Sequence, residues 1–189
     1  MEQKITLKRK FSTRDMAIIP IFSVLTAVGA FIKLPIGPVP ISMQTVFVVL
    51  SGIILGRKAV YSQLIYVLLG LLGLPVFTGG GGIGYILTPT FGYLVGFILA
   101  SYLIGTLREK LKTITVLKLF LISFLGLIVI YTMGAGYLYV LKNLIMGNAP
   151  LSLAKAIKFG ALVFIPGDTL WCVFAAFLGK RLTKEIPLL

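Results

Sequence analysis

From Ala59 to Leu107 the chain reads AVYSQLIYVLLGLLGLPVFTGGGGIGYILTPTFGYLVGFILASYLIGTL, without one charged residue. A bilayer-crossing helix needs about 20 consecutive apolar residues. This stretch has room for two, parted by a loop of prolines and glycines. Leu34–Gly56 and Leu119–Leu141 are uncharged as well. Hydrophobic residues make up 58% of the 189 positions, and mean hydropathy is +1.06, well above that of a soluble domain. The pattern predicts an all-α integral membrane protein, because lipid obliges each span to satisfy its own backbone. A closed barrel does not fit, since the segments lack period-two alternation.

The formal net charge is +13. Clustered on one face, such a charge would point to nucleic acid. Here the basic residues sit between apolar spans, where they act as topology signals, so no nucleic-acid partner is expected. Cys172 is the lone cysteine and histidine is absent. That excludes a disulfide framework, a thiolate metal cluster and histidine-based catalysis, and no metal or cofactor is expected. Residues 1–14, MEQKITLKRKFSTR, read as a basic cytoplasmic lead-in rather than a cleavable signal.

We read 1–189 as one transmembrane domain with six spans: Asp15–Leu34, Ile41–Leu55, Ala59–Leu74, Pro89–Leu107, Leu119–Leu141 and Gly167–Leu182. PIGPVP forms a turn between the first two, since proline cannot continue a helix as donor. A short interfacial helix at Ser152–Phe164 precedes the last; one continuous, kinked helix is the alternative. Of the 18 lysines and arginines, only Lys33, Lys142, Lys155 and Lys158 then lie outside. This asymmetry places both termini in the cytoplasm, in a cell membrane of bacterial type crossed several times.

PIGPVPISMQ, TGGGGIGY and FIPGDTLW all fall at outer helix ends in this topology. Irregular backbone at membrane depth is tolerated only where protein or a cavity covers it, so the three segments point to a walled pocket opening outward. Asp168 is the one acid on that side, and an intramembrane carboxylate reads first as functional. Its position after Pro166-Gly167 is a helix's first turn, where the dipole favours the ionised form. A plain capping role is the competing reading. Gly79, Gly81 and Gly84 spell G-x-G-x-x-G, but no strand precedes them and no nucleotide lies on that side. The better reading is a loop, Gly79, Gly80, Gly81 and Gly82, that lets a small ligand lie against the backbone. A valine at Gly81 should then fill the approach space and cripple binding.

Gln44 either faces the pocket or packs between helices. Tyr85 and Tyr93 are interfacial belt residues or stacking walls. Trp171 lies one turn beyond Asp168 and so on its face, with belt anchoring as the alternative. Gln63 and Asn143 read as structural. Ser23 with Ala27, and Thr26 with Ala30, form small-xxx-small pairs that permit close helix approach, internally or to a partner.

TAVGAFI (26–32), PVPISMQT (38–45), LLGLPVFTGGGG (71–82), PTFGYLVGF (89–97) and FIPGD (164–168), in this order, resemble the BioY family. Its members are biotin-specific substrate-binding (S) components of energy-coupling factor (ECF) vitamin transporters. The resemblance covers nearly the whole chain. It implies the six-helix S-component fold and an outward pocket under the first and third outer loops. It also implies a transmembrane coupling subunit and two cytoplasmic ATPases as partners, with ATP hydrolysed by them. The family's PGD aspartate binds ligand and falls on Asp168. The chain departs from the family where a lysine follows PGD-x-x, here Trp171, and where P-T-G-G-Y becomes P-T-F-G-Y at Phe91. The glycine loop, which a polar residue can interrupt in the family, is glycine throughout, and an arginine seen in some members is Leu94.

Biotin poses two chemical problems. A carboxylate can accept both ureido N–H groups, which suits Asp168. The bicycle and alkyl chain want apolar and aromatic walls, for which Phe77, Tyr85, Tyr93 and Trp171 are candidates. The valerate carboxylate needs donors from the Gly79–Gly82 backbone, Lys33 or Lys155. No catalysis is expected: an enzyme built on Asp168 would lack a second outer carboxylate. Within the binding class, dethiobiotin is an alternative ligand, lipoate a poorer one, and a stand-alone secondary transporter an alternative mode.

Overall fold

A computed structural model describes residues 11–34, 41–146 and 150–185. The PIGPVP turn and residues 1–10 of the basic N-terminal segment lie outside the described residues. Seven α-helices run in chain order: α1 (Thr13–Phe31), α2 (Gln44–Leu55), α3 (Ala59–Leu71), α4 (Phe91–Glu109), α5 (Val116–Val140), α6 (Leu153–Ile157) and α7 (Ile165–Glu185). Five continuous helical stretches among the described residues are long and apolar enough to cross a bilayer: Thr13–Phe31, Gln44–Leu71, Phe91–Glu109, Val116–Ile145 and Leu153–Glu185. The outer surface is itself apolar, with Val24, Leu68, Leu72, Leu121, Phe174 and Phe177 exposed. Polar residues such as Gln63 and Thr26 are buried inside instead. Such an apolar exterior fits lipid, not water, and the chain is a membrane protein.

The second stretch folds back on itself. Gly56 has φ +60°, a value that strains any residue with a Cβ, and a single tight turn at Gly56–Lys58 reverses the chain. The antiparallel pairing of α2 with α3 shows in side-chain bonds: Gln63 Nε2 to Ser51 Oγ at 3.4 Å, and Gln44 Nε2 to the Tyr66 hydroxyl at 2.6 Å. α1 joins this hairpin through Ser23 Oγ, which donates to the Ser62 carbonyl at 2.7 Å, and through Thr26 Oγ1, which accepts from Gln63 at 3.3 Å. Ser23, Thr26 and Ala30 are thus spent on internal packing, and Gln63 is structural as expected.

One end of the bundle carries the charges. Ser12 and Asp15 form a capping box at the start of α1, and the buried Asp15 carboxylate also pairs with Lys58 of the hairpin turn. Arg57 pairs with Glu109 of α4 at 2.9 Å. α4 and α5 then run antiparallel, with Gly96 beside Ile130 and Gly126 beside Ile104.

One local finding differs from an all-helical reading. A two-stranded antiparallel ribbon, β1 (Lys33–Leu34) with β2 (Ile41–Ser42), joins α1 to α2 in the register Lys33↔Ser42. Leu34 precedes Pro35, and a residue before proline is pushed out of the helical region into extended backbone. The region before α7 is a short helix, α6, capped by Ser152. It widens into i→i+5 turns at Lys158–Leu162 and runs on through a turn at 163–164 into α7, whose first turn holds Pro166, Gly167 and Asp168, so the continuous alternative describes this region.

The packing of the hairpin turn on α4 is testable. A Cβ on Gly105 would lie 2.1 Å from the Gly56 carbonyl oxygen and 2.7 Å from the Arg57 nitrogen. These are backbone atoms that cannot swing away. Gly105→Ala should lower stability by about 1–3 kcal/mol, read as a drop in thermal unfolding temperature in detergent.

Candidate functional site

At the end opposite the Asp15–Lys58 and Arg57–Glu109 ion pairs, α2, α4, α5 and α7 line a cavity of about 480 Å³, a volume that includes open solvent. Ser42, Gln44 and Thr45 line it from β2 and α2. Thr78, Tyr85 and Thr90 come from the loop between α3 and α4; Tyr93, Leu94 and Phe97 from α4; Ile130 and Tyr131 from α5; Phe164 and Asp168 from the α6–α7 junction. Hydroxyls and aromatic rings make up most of the wall, and Asp168 is the only charged side chain in it.

Asp168 is 5% exposed. It does not act as a simple helix cap. Its Oδ2 accepts from the Tyr131 hydroxyl at 2.6 Å and from Thr45 Oγ1 at 3.4 Å, so α5 and α2 both reach it. Its Oδ1 is buried with no hydrogen-bond partner among the described residues. A buried acceptor left open costs about 1–3 kcal/mol, more when charged. An unpartnered oxygen on a residue that lines a cavity is a candidate acceptor for a ligand's N–H.

The aromatic residues divide. Tyr85 and Tyr93 are buried rather than at a lipid belt. The Tyr85 hydroxyl bonds Thr78 at 3.0 Å and Thr90 at 2.8 Å, and Tyr93 donates to the Gly160 carbonyl at 2.6 Å. Phe77 does not reach the cavity. It is fully buried behind it, stacked on Tyr85 with ring centroids 4.5 Å apart. Trp171 does not line it either, despite lying one turn from Asp168. Its ring meets Phe174 edge-on, with centroids 6.0 Å apart, towards the exposed face of α7. Gln44 lies in the wall with its amide engaged at both ends, accepting from Ser42 at 3.1 Å and donating to Tyr66.

Gly79, Gly80, Gly81 and Gly82 lie beside the cavity rather than in its wall. Phe77 and Gly80 exchange backbone hydrogen bonds at 2.9 and 3.2 Å, and Gly82 N–H donates to the Gly70 carbonyl at 2.7 Å. Gly80 and Gly82 have φ of +115° and +98°. The glycines close a turn and dock it on the end of α3, and two of their N–H groups are thereby occupied. Lys33 Nζ donates to the Thr78 carbonyl, which ties β1 to this loop. Lys155 is exposed on α6.

Sequence reading missed Thr45, Thr78, Thr90, Phe164 and above all Tyr131. Its signal was present: a tyrosine midway along an uncharged apolar span, which invites the question of where its hydroxyl goes.

The model of the BioY family matches residues 1–188. The chain belongs to the BioY family. A probable biotin transporter BioY of Lysinibacillus sphaericus is 44% identical over 174 residues, 92% of this chain and 88% of its own length. The biotin transporter BioY of Thermotoga maritima is 39% identical over 166 residues, covering 87% and 92%. A crystal structure of the S-component for biotin from an ECF-type ABC transporter superposes with a TM-score of 0.82 at 28% identity, covering 93% of this chain and 95% of that one. The fold is that of an ECF S-component, and the chain is a transporter component rather than an enzyme. Of the two departures from the family's basic positions, Leu94 lies in the cavity wall and Trp171 outside it.

Gly81 needs its glycine for a reason other than ligand approach. A Cβ there would lie 2.1 Å from the Leu74 carbonyl oxygen, whereas one on Gly79 would meet Tyr85 at an ordinary 3.5 Å. Gly81→Ala should therefore lower the unfolding temperature of the ligand-free protein by several degrees, and Gly79→Ala should leave it within about a degree.

Proposed function

We propose that this chain is the biotin-binding membrane subunit of an ATP-driven uptake system. It captures biotin in the outward-facing cavity and passes it inward when coupled to an ECF module. The unpartnered Oδ1 of Asp168, in a hydroxyl- and aromatic-lined cavity of a BioY-family chain, carries this reading. It supplies a charged acceptor for the ureido head, and the aromatic and hydroxyl walls suit the rest of a small-molecule ligand. Six passes with both termini in the cytoplasm fit the hairpin at Gly56 and place the Asp15–Lys58 and Arg57–Glu109 pairs at the cytoplasmic end. The membrane is the cell membrane, and 1–189 form one domain. The partners are a transmembrane coupling subunit and two ATPases, which hydrolyse the ATP; the chain itself takes no cofactor.

The ligand's carboxylate has no cation within the cavity wall. We place it at the rim, where Lys33 reaches the Thr78 carbonyl; Lys155 and the glycine N–H groups serve it less well. Dethiobiotin keeps the ureido head and remains a second ligand, while lipoate lacks it. A stand-alone secondary transporter is the competing mode. Uptake into vesicles by the chain alone, without ATP, would support that mode over the coupled one.

Calorimetric titration of the detergent-purified chain tests the reading. Biotin should bind tightly at one site, and a failure of biotin to bind would end the proposal. Asp168→Asn replaces a charged acceptor with a neutral one and should cost about 1.5–3 kcal/mol of binding. Biotin carboxamide should bind within about fivefold of biotin, because an exposed rim ion pair is worth only ~0–1 kcal/mol.

A further inference from the structure

The two oxygens of Asp168 are not equivalent. Three helices converge on Oδ2: α7 carries it, α5 reaches it through the Tyr131 hydroxyl at 2.6 Å, and α2 through Thr45 at 3.4 Å. The shorter contact falls in the range of charge-assisted O–H···O⁻ bonds, and the longer one is weak. No lysine or arginine pairs with Asp168 among the described residues. The Tyr131 ring is held in turn by Phe164, with centroids 6.3 Å apart and planes tilted by 31°. A phenol has one hydrogen to give, and Tyr131 spends it on Oδ2. Oδ1 is left open.

We infer that Tyr131 is a positioning residue for ligand recognition: it reserves Oδ2, fixes the carboxylate plane, and leaves Oδ1 as the single atom offered to the ureido head. This rests on the biotin reading above and sharpens it. The carboxylate meets the ligand through one oxygen, not through a two-oxygen clasp on both ureido nitrogens. Loss of the Tyr131 hydroxyl leaves the carboxylate free to turn and its second oxygen without its main donor, so the open oxygen is no longer held on the ligand.

A double-mutant cycle on the full chain in detergent, read by biotin titration, tests this. Tyr131→Phe keeps the ring and should weaken biotin binding roughly ten- to a hundredfold, the range of a hydrogen bond to a charged group. In the Asp168→Asn background the same change should cost less than about threefold, because the charge that it positions is gone. Thr45→Val should show the same dependence on the Asp168 carboxylate with a smaller loss, and it serves as the second arm if Tyr131→Phe does not yield folded protein. Equal losses in both backgrounds would mean that Tyr131 is only packing, and an unchanged affinity would mean that it is irrelevant; either result overturns the inference. A wild-type chain that ignores biotin, or an Asp168→Asn variant that binds it undiminished, would instead overturn the reading of the site itself, and the inference with it.

Discussion

A carboxylate taken out of water with no cation beside it persists only where donors surround it, and the cavity end of this bundle is arranged around that requirement. Asp168 lies in the first turn of α7, where the helix's own N-terminus favours negative charge. The strongest donor comes from α5 and a weaker one from α2. Those contacts hold three helices at one point while leaving one oxygen without a partner. The unequal treatment of the two atoms leaves an acceptor without a partner on a residue that lines the cavity.

The cavity follows from helix length. α2 and α3 have 12 and 13 residues, about 18–20 Å at 1.5 Å per residue, well short of a hydrocarbon core of about 30 Å. The space above them is taken by the β1–β2 ribbon and by the loop from Leu72 to Thr90. Non-helical backbone at that depth must be covered, and it is. Phe77 is buried under the glycine turn, Tyr85 is tied to Thr78 and Thr90, and Gly82 is bonded to the end of α3. The glycines serve the docking of this loop, and the tyrosine and threonines that it carries form the cavity wall.

Sequence alone made legible what charge and hydropathy control. The membrane class, the antiparallel order of spans, the end that holds the cavity, and Asp168 as its one acid all follow from where charges are absent. Interhelical partnership left weaker traces. Nothing in LIVIYTMG tells which way Tyr131 points, and helical spacing put Trp171 on the face of Asp168 although its ring packs on Phe174 and does not line the cavity. The glycine run was legible as an irregular loop, but its physical reason was not. Close approach at Gly81 is to the Leu74 carbonyl, a contact between two segments of backbone that composition does not encode.

The two ends of the bundle solve opposite electrostatic problems. At the charged end Asp15 is fully buried and meets Lys58, and Glu109 meets both the side chain and the backbone N–H of Arg57. Asp15 and Glu109 each have a cation, and Gly105 lets α4 close directly on the hairpin turn, so α1, the hairpin and α4 are locked together. At the other end Asp168 has hydroxyl donors only. Neutral donors leave a carboxylate's charge uncancelled, so the field of Asp168 remains available to whatever enters. A lysine in its place among the wall residues would neutralise it from within; Leu94, an apolar residue of that wall, does not. Among its lining residues the cavity thus offers one charged acceptor and no cation.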